Sequence, residues 1–247
     1  MKMDSSTISW NNASTDWISV AQTNDFRMQY IMPYTLQKIG DVANLKVLDI
    51  GCGEGGYSRE LAKTGAHVTA VDCSKAAIEY AVNKACSENL HICHLIRNSN
   101  DLQEIPDDEY DLVLASMMLM DCEDFDGTVR EIKRVLKKSG RIFISVLHPC
   151  FNGKEIRWSK DNEGNTEVIV KNYFSPETWE AKLTKNLETS VVWRHRTLQD
   201  YLKMFIKYDL RLKDLNEPFP TEEHIIKSNR LEWLKNIPMF LFIELEK

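Results

Sequence analysis

The chain has 247 residues, 43% of them hydrophobic and 28% charged, which is the balance of a globular protein able to bury a core. A formal net charge of −6 leaves no broad positive field for phosphate backbones, so nucleic acid is a disfavoured partner. There is no run of about eighteen apolar residues and no basic segment followed by an apolar one, so the expectation is a cytoplasmic protein with no membrane span or export signal.

In chain order, Trp10 to Tyr34 reads as a helix or two. From Leu45 short β-branched runs alternate with longer helical patterns, the order that builds a parallel sheet covered on both faces. Lys46 to Ile50 is predicted as a strand, followed by a glycine-rich turn and a helix from Gly56 to Lys63 that Gly65 ends. His67 to Val71 is the second strand, and Ser74 caps a helix running to Ser87 with Ala77, Ala81 and Ala85 on one side. A third strand is expected over His91 to Ile96, and a fourth, Tyr110 to Ala115, is apolar enough to be central. The spacing of Val129, Ile132, Val135 and Leu136 predicts a helix from Phe125 to Lys138, stopped by Ser139-Gly140, and Arg141 to Leu147 is a fifth strand.

The alternation breaks at Pro149. Residues 150–193 read as an insertion rich in aromatics, with a hairpin pairing Glu155–Trp158 against Glu167–Val170. Beyond it come a helix, Leu198 to Tyr208, a sixth strand, Leu210 to Leu215, and a last strand, Met239 to Glu246. The expectation is one α/β domain with a doubly wound, mostly parallel sheet: a helical cap over 1–44, a core over 45–149, the insertion over 150–193, and a C-terminal helix with edge strands over 194–247.

Six cysteines lie without a C-x-x-C pair, which reads as reduced thiols. His91, Cys93 and His94 are close in sequence, but on a strand Cys93 faces away from its neighbours, so no metal site is expected.

The most informative segment is Val47-Leu48-Asp49-Ile50-Gly51-Cys52-Gly53-Glu54-Gly55-Gly56, a buried strand that runs into glycines and then a helix. Glycines let the backbone turn tightly and approach a ligand with no Cβ in the way, and the helix start offers unpaired N–H groups. Twenty-one residues after Gly51, at the tip of the second strand, stands Asp72, a carboxylate placed to accept from two ribose hydroxyls. Gly51, Gly53 and Gly56 also satisfy G-x-G-x-x-G, so glycine spacing alone leaves NAD and S-adenosylmethionine both standing. Asp49, inside the motif, suits the ammonium of an amino-acid ligand better than a pyrophosphate.

The string VLDIGCGEG resembles the first motif of class I S-adenosylmethionine-dependent methyltransferases, and VDCS resembles their second. Asn98-Ser99-Asn100-Asp101-Leu102 resembles the segment that meets adenine, with Asn98 in place of the usual acid, and DEYDLVLAS with REIKRVLKKSGRIFISV resembles the fourth strand, helix and fifth strand. The resemblance covers about Leu45 to Phe151. It implies a Rossmann-like fold with an antiparallel last strand, S-adenosylmethionine as methyl donor, and a cofactor site comprising Asp49, Gly51, Cys52, Gly53, Asp72, Cys73, Asn98, Ser99 and Ser116. In relatives with a similar DFR…Y…P stretch, basic and aromatic side chains reach the methionine carboxylate, which implies Arg27 and Tyr30 here.

The implied activity is in-line methyl transfer to a small-molecule acceptor, and the rival readings are an NAD-dependent oxidoreductase and a non-catalytic cofactor binder. His148, ending the fifth strand on the ligand side, is the expected general base, against a packing role before Pro149. Asp121 reads either as a second polar group of the pocket or as a helix-leading acid, with no catalytic role expected, and Cys150 as structural, while Trp158, Tyr173, Phe174, Trp179 and Trp193 are candidate pocket walls.

Overall fold

Val47 to Ile50 are buried without a break, as a strand covered on both faces requires. In the computed structural model, which describes residues 3–183 and 187–247, this strand (β1, Lys46–Ile50) pairs in parallel with β2 (His67–Asp72) on one side and β4 (Tyr110–Ser116) on the other. β3 (Cys93–Ile96) extends the sheet beyond β2, and β5 (Leu136–Leu147) lies beside β4. The antiparallel β11 (Phe240–Glu246) follows β5, and β10 (Arg211–Asn216) closes that edge, giving the order β10-β11-β5-β4-β1-β2-β3. The winding reverses between β1 and β4, so the loops leaving these neighbours diverge and open a crevice at their carboxyl ends.

Side-chain alternation along β4 feeds two cores. Val113 and Ala115 join Leu48, Ile50 and Ile144 on one face, where α5 (Phe125–Val135) and α6 (Leu198–Lys207) bury Val129, Ile132 and Phe205. Leu112 and Leu114 join Val47, Phe143 and Phe242 on the other, against α2 (Met32–Ile39) and α3 (Gly56–Lys63). Each such buried side chain contributes roughly 1.5–3 kcal/mol relative to exposure. Ser74 caps α4 (Lys75–Ser87) by accepting from the Ala77 N–H at 3.3 Å, as its sequence position predicts.

The cap is built on other terms. α1 (Ser5–Ala21) lies across the crevice and a π-helical turn, Phe26–Ile31, leads into α2. The insertion forms two hairpins, β6–β7 (Arg157–Lys160 with Thr166–Ile169) and β8–β9 (Thr178–Ala181 with Val191–Arg194). β9 is tied to α1, since Val192 N–H donates to Ser9 Oγ at 2.8 Å and Thr189 N–H to Asp16 Oδ2 at 2.9 Å.

Several predicted boundaries shift. The fifth helix stops at Val135, because Leu136 turns extended and pairs with Tyr110; residues 137–140 bulge before Arg141 resumes the ladder opposite Leu112. The first hairpin sits closer to its turn than predicted, with Trp158 opposite Val168, because Asp161 organises the turn by accepting from the N–H groups of Glu163 and Asn165. The third strand begins only at Cys93. The β8–β9 hairpin and the short helix α7 (Glu222–Lys227) were not anticipated.

Candidate active site

The carboxyl ends of β1, β2 and β4, with α1 and β9 above them, enclose a cavity of about 360 Å³, within the usual range for a small-ligand site. The turn after β1 forms its floor. Gly51 and Gly53 take φ of 70° and 55°, a region that costs other residues about 1–2 kcal/mol. At Gly51 a Cβ would also lie 2.7 Å from Met118 Cβ, so both backbone and space demand glycine there. The N–H groups of Gly51 and Cys52 both donate to Val71 O, which pins the turn against β2.

Two carboxylates border this floor. Asp49 is only 2% exposed and accepts from Ser58 Oγ; burial pushes its carboxyl up to about 7. Asp72 accepts from Gly53 N–H at 2.9 Å through one oxygen and from Ser74 N–H at 2.8 Å through the other, so both lobes are oriented while each keeps capacity for a further donor. Burial raises its pKa as well, opposed by those two backbone bonds.

A third acid, Glu54, is buried between Arg27 and Arg59. Gly56 makes room for that arrangement, since a Cβ there would overlap the Arg27 guanidinium and the Glu54 carboxylate. Arg27 thus reaches the cavity wall as predicted, but its guanidinium is committed to Glu54 and to Ala21 O.

Asn98 and Ser99, at the end of β3, line the same cavity. The Asn98 amide nitrogen donates to Asp4 Oδ2 at 2.7 Å and Thr7 Oγ1 at 2.9 Å, so the first turn of α1 fixes the side chain. Ser116 lines the wall beyond β4, with its Oγ 2.9 Å from that of Ser145. Cys52 and Cys73 also face the cavity, and burial drives both thiols upward, which makes them packing surface rather than nucleophiles.

Two sequence candidates are not brought together with the rest. Tyr30 is buried away from the cavity; its hydroxyl donates to Pro218 O and its ring packs on Phe240 and His224. The π-helical turn rotates Arg27 toward the glycines and Tyr30 away from them. His148 does not line the cavity either. Its Nδ1 accepts from the Cys150 N–H at 3.2 Å and its Nε2 lies 2.5 Å from Glu217 Oε1, so neither ring nitrogen is free to take a proton. Burial lowers its pKa, opposed by Glu217. The ring ties the insertion and the segment before α7 to the end of β5.

Other wall residues were missed or undervalued. Ser6, Trp10, Ser14 and Trp17 form one stripe of α1 facing the cavity, a spacing of four, four and three that was visible in the sequence. Of the insertion's aromatics, only Trp193 lines the cavity among the described residues, and Phe174 is 87% exposed. Asp121 is buried at the cavity wall, with Oδ2 accepting from Trp10 Nε1 at 3.2 Å. No helix-leading role holds for it; Asp124 caps α5 instead. Its place after the fourth strand left the pocket reading open, while its partners come from α1, β9 and the segment after β9.

Comparison with known proteins bears on the same region. The family model described as Methyltransferase domain matches residues 48–144, from β1 to β5. A ubiquinone biosynthesis O-methyltransferase from Pasteurella multocida is 31% identical over 149 residues, which are 57% of this chain, and the chain covers 60% of that relative's length. A sterol 24-C-methyltransferase from Gibberella zeae is 37% identical over 109 residues, 43% of this chain and 29% of that protein. Among solved structures, an S-adenosylmethionine dependent methyltransferase from Mesorhizobium loti is 26% identical, covers 87% of this chain and 96% of that one, and superposes with a TM-score of 0.73. Those relatives differ in the atom their names say is methylated. Residues 48–144 match the model of a methyltransferase domain, and the chain shares the Rossmann-like fold of that S-adenosylmethionine dependent methyltransferase.

Proposed function

We propose that this protein transfers a methyl group from S-adenosylmethionine to a small-molecule acceptor and releases S-adenosylhomocysteine. The observation that carries the reading is the pairing of two differently placed carboxylates at one glycine floor. Asp72, with both oxygens pre-oriented by backbone N–H groups, suits a vicinal ribose diol. Asp49, buried with a single hydroxyl partner, suits the ammonium of the methionine portion, beside Gly51, Gly53 and Ser116. Asn98 and Ser99 flank the adenine end, Cys73 offers an apolar surface there, and Cys52 lines the floor. Arg27, neutralised by Glu54, shapes the methionine end without presenting a free cation. A pyrophosphate would meet Asp49 and Asp72 beside one turn, a like-charge arrangement that disfavours NAD.

The sulfonium of the donor already activates its methyl group, so the chain's task is to align the acceptor and exclude water. α1 and the β8–β9 hairpin supply that enclosure, and the whole chain from cap to edge strands works as one domain in this reading. Among the described residues no helix is long and apolar enough to cross a membrane; six free cysteines suit the reducing cytoplasm, and the net charge of −6 favours metabolites over nucleic acid.

A thermal-shift comparison tests the choice of cofactor. S-adenosylhomocysteine should raise the melting temperature while NAD leaves it unchanged. Stabilisation by NAD alone would overturn the proposal.

A further inference from the structure

Asp121 is the cavity acid that the cofactor reading leaves without a task. Asp49, Glu54 and Asp72 cluster at the glycine floor and act electrostatically on one another. Asp121 stands apart, on the loop after β4, and its carboxylate receives one hydrogen bond among the described residues, from Trp10. Two nearby arginines act on its charge through space, but among the described residues neither bonds to the carboxylate. Arg194 donates to the Asp121 backbone carbonyl at 2.6 Å, and Arg196 to the carbonyls of Leu119 and Met120 at 3.1 and 3.3 Å. Both guanidiniums grip the loop from behind while the carboxylate keeps its open oxygen for the cavity.

Its surroundings are indole and thioether. Trp10 holds the carboxylate directly and Met120 precedes Asp121 in the wall, while Trp193 lines the same cavity from β9. The cavity's own cations are already paired, Arg27 with Glu54 and Arg97 with Glu104. A carboxylate beside indoles, in a cavity with no free cation among the described residues, attracts a positively charged nitrogen and repels an anion.

We propose that Asp121, held by Trp10 in a cavity that Trp193 also lines, is the recognition point for the methyl acceptor and selects a basic amine attached to an apolar body. This rests on the methyltransferase reading above. An ammonium has no lone pair to methylate, so one N–H proton passes to the open Asp121 oxygen, leaving a neutral amine and a carboxylic acid; the acid later returns the proton to water. Burial lifts the Asp121 carboxyl to about 7, which suits exchange near neutrality. The opposing charges around it are those of Arg194 and Arg196, which draw it back down.

The test uses the protein saturated with S-adenosylhomocysteine and three probes that share one ring: 2-phenylethylamine, 2-phenylethanol and phenylacetate. Calorimetric titration should show the amine binding most tightly and phenylacetate least. Asp121→Asn, which keeps an oxygen for Trp10, should weaken the amine on the order of tenfold or more, leave the alcohol little changed, and keep the wild-type affinity for S-adenosylhomocysteine. Preference for the alcohol or the acid would overturn the proposal. So would an equal loss of S-adenosylhomocysteine affinity in Asp121→Asn, which would make Asp121 a cofactor contact. Failure of the wild-type protein to bind S-adenosylhomocysteine would instead strike the methyltransferase reading itself.

Discussion

The sheet floor and the cap above it are held by opposite means. β1 and β4 bury Leu48, Ile50, Leu112, Val113 and Leu114 completely, so their positions follow from removing apolar surface from water. The face that α1 turns inward is Ser6, Ser9, Ala13 and Ser14 with two indoles, and it is located by individual hydrogen bonds: Ser6 to Asp121 O, Ser9 to Val192, Asp16 to Thr189. Burial is non-directional and strong in sum, whereas each hydrogen bond is specific and worth about 1 kcal/mol net. The floor is thereby suited to hold a constant cofactor, and the cap to define an acceptor by particular contacts.

Substitution should separate the two regions by size of effect. Gly51→Val strikes the floor, where it combines a left-handed backbone penalty of about 1–2 kcal/mol with overpacking of about 1–3 kcal/mol against Met118. Thermal unfolding should show a large loss of stability together with abolished binding of S-adenosylhomocysteine; a near-normal melting temperature would contradict the geometry of that turn. Asp72→Ala should weaken S-adenosylhomocysteine by about 1–3 kcal/mol, through lost charge-assisted bonds and a loosened Gly53. Unchanged affinity by calorimetry would remove Asp72 from the site. At the junction of floor and cap, His148→Ala should cost about 1–2 kcal/mol of stability through the Cys150 and Glu217 contacts. Its affinity for S-adenosylhomocysteine should stay normal, and a selective loss of binding would return His148 to the site.

The same contrast explains how much could be read from residues alone. The parallel core was legible because strand periodicity, Ser74 capping and glycine spacing are local signals, and the cofactor candidates from Asp49 to Ser116 all line the cavity. Tyr30 and His148 lie off the cavity for different reasons. A π-helical turn changes the angular step between Arg27 and Tyr30, and periodicity does not reveal it. Position at a strand end put His148 near the ligand side, while its engagement with Glu217, sixty-nine residues away, is a tertiary contact. For Asp121 the pocket and helix-leading readings stood side by side, because its indole partner and its flanking arginines come from α1, β9 and the segment after β9. The β8–β9 hairpin escaped because its residues carry no turn signature, although Trp179 and Trp193 stack across it at 6.3 Å.

Asp49 offers the most direct test of the central claim, that the glycine floor holds an amino-acid-bearing nucleoside. Its folded-state pKa of about 7 stands above the ordinary 3.8, so the stability it contributes is complete below pH about 4 and is lost as pH rises through 7. A bound ammonium reverses that preference by requiring the carboxylate. Calorimetric titration with S-adenosylhomocysteine at a pH about one unit below 7, in two buffers of different ionisation enthalpy, should show one site and release of close to one proton per ligand bound, absent in Asp49→Asn. Binding with no proton release, or no binding at all, would contradict the assignment of this floor to the methyl donor.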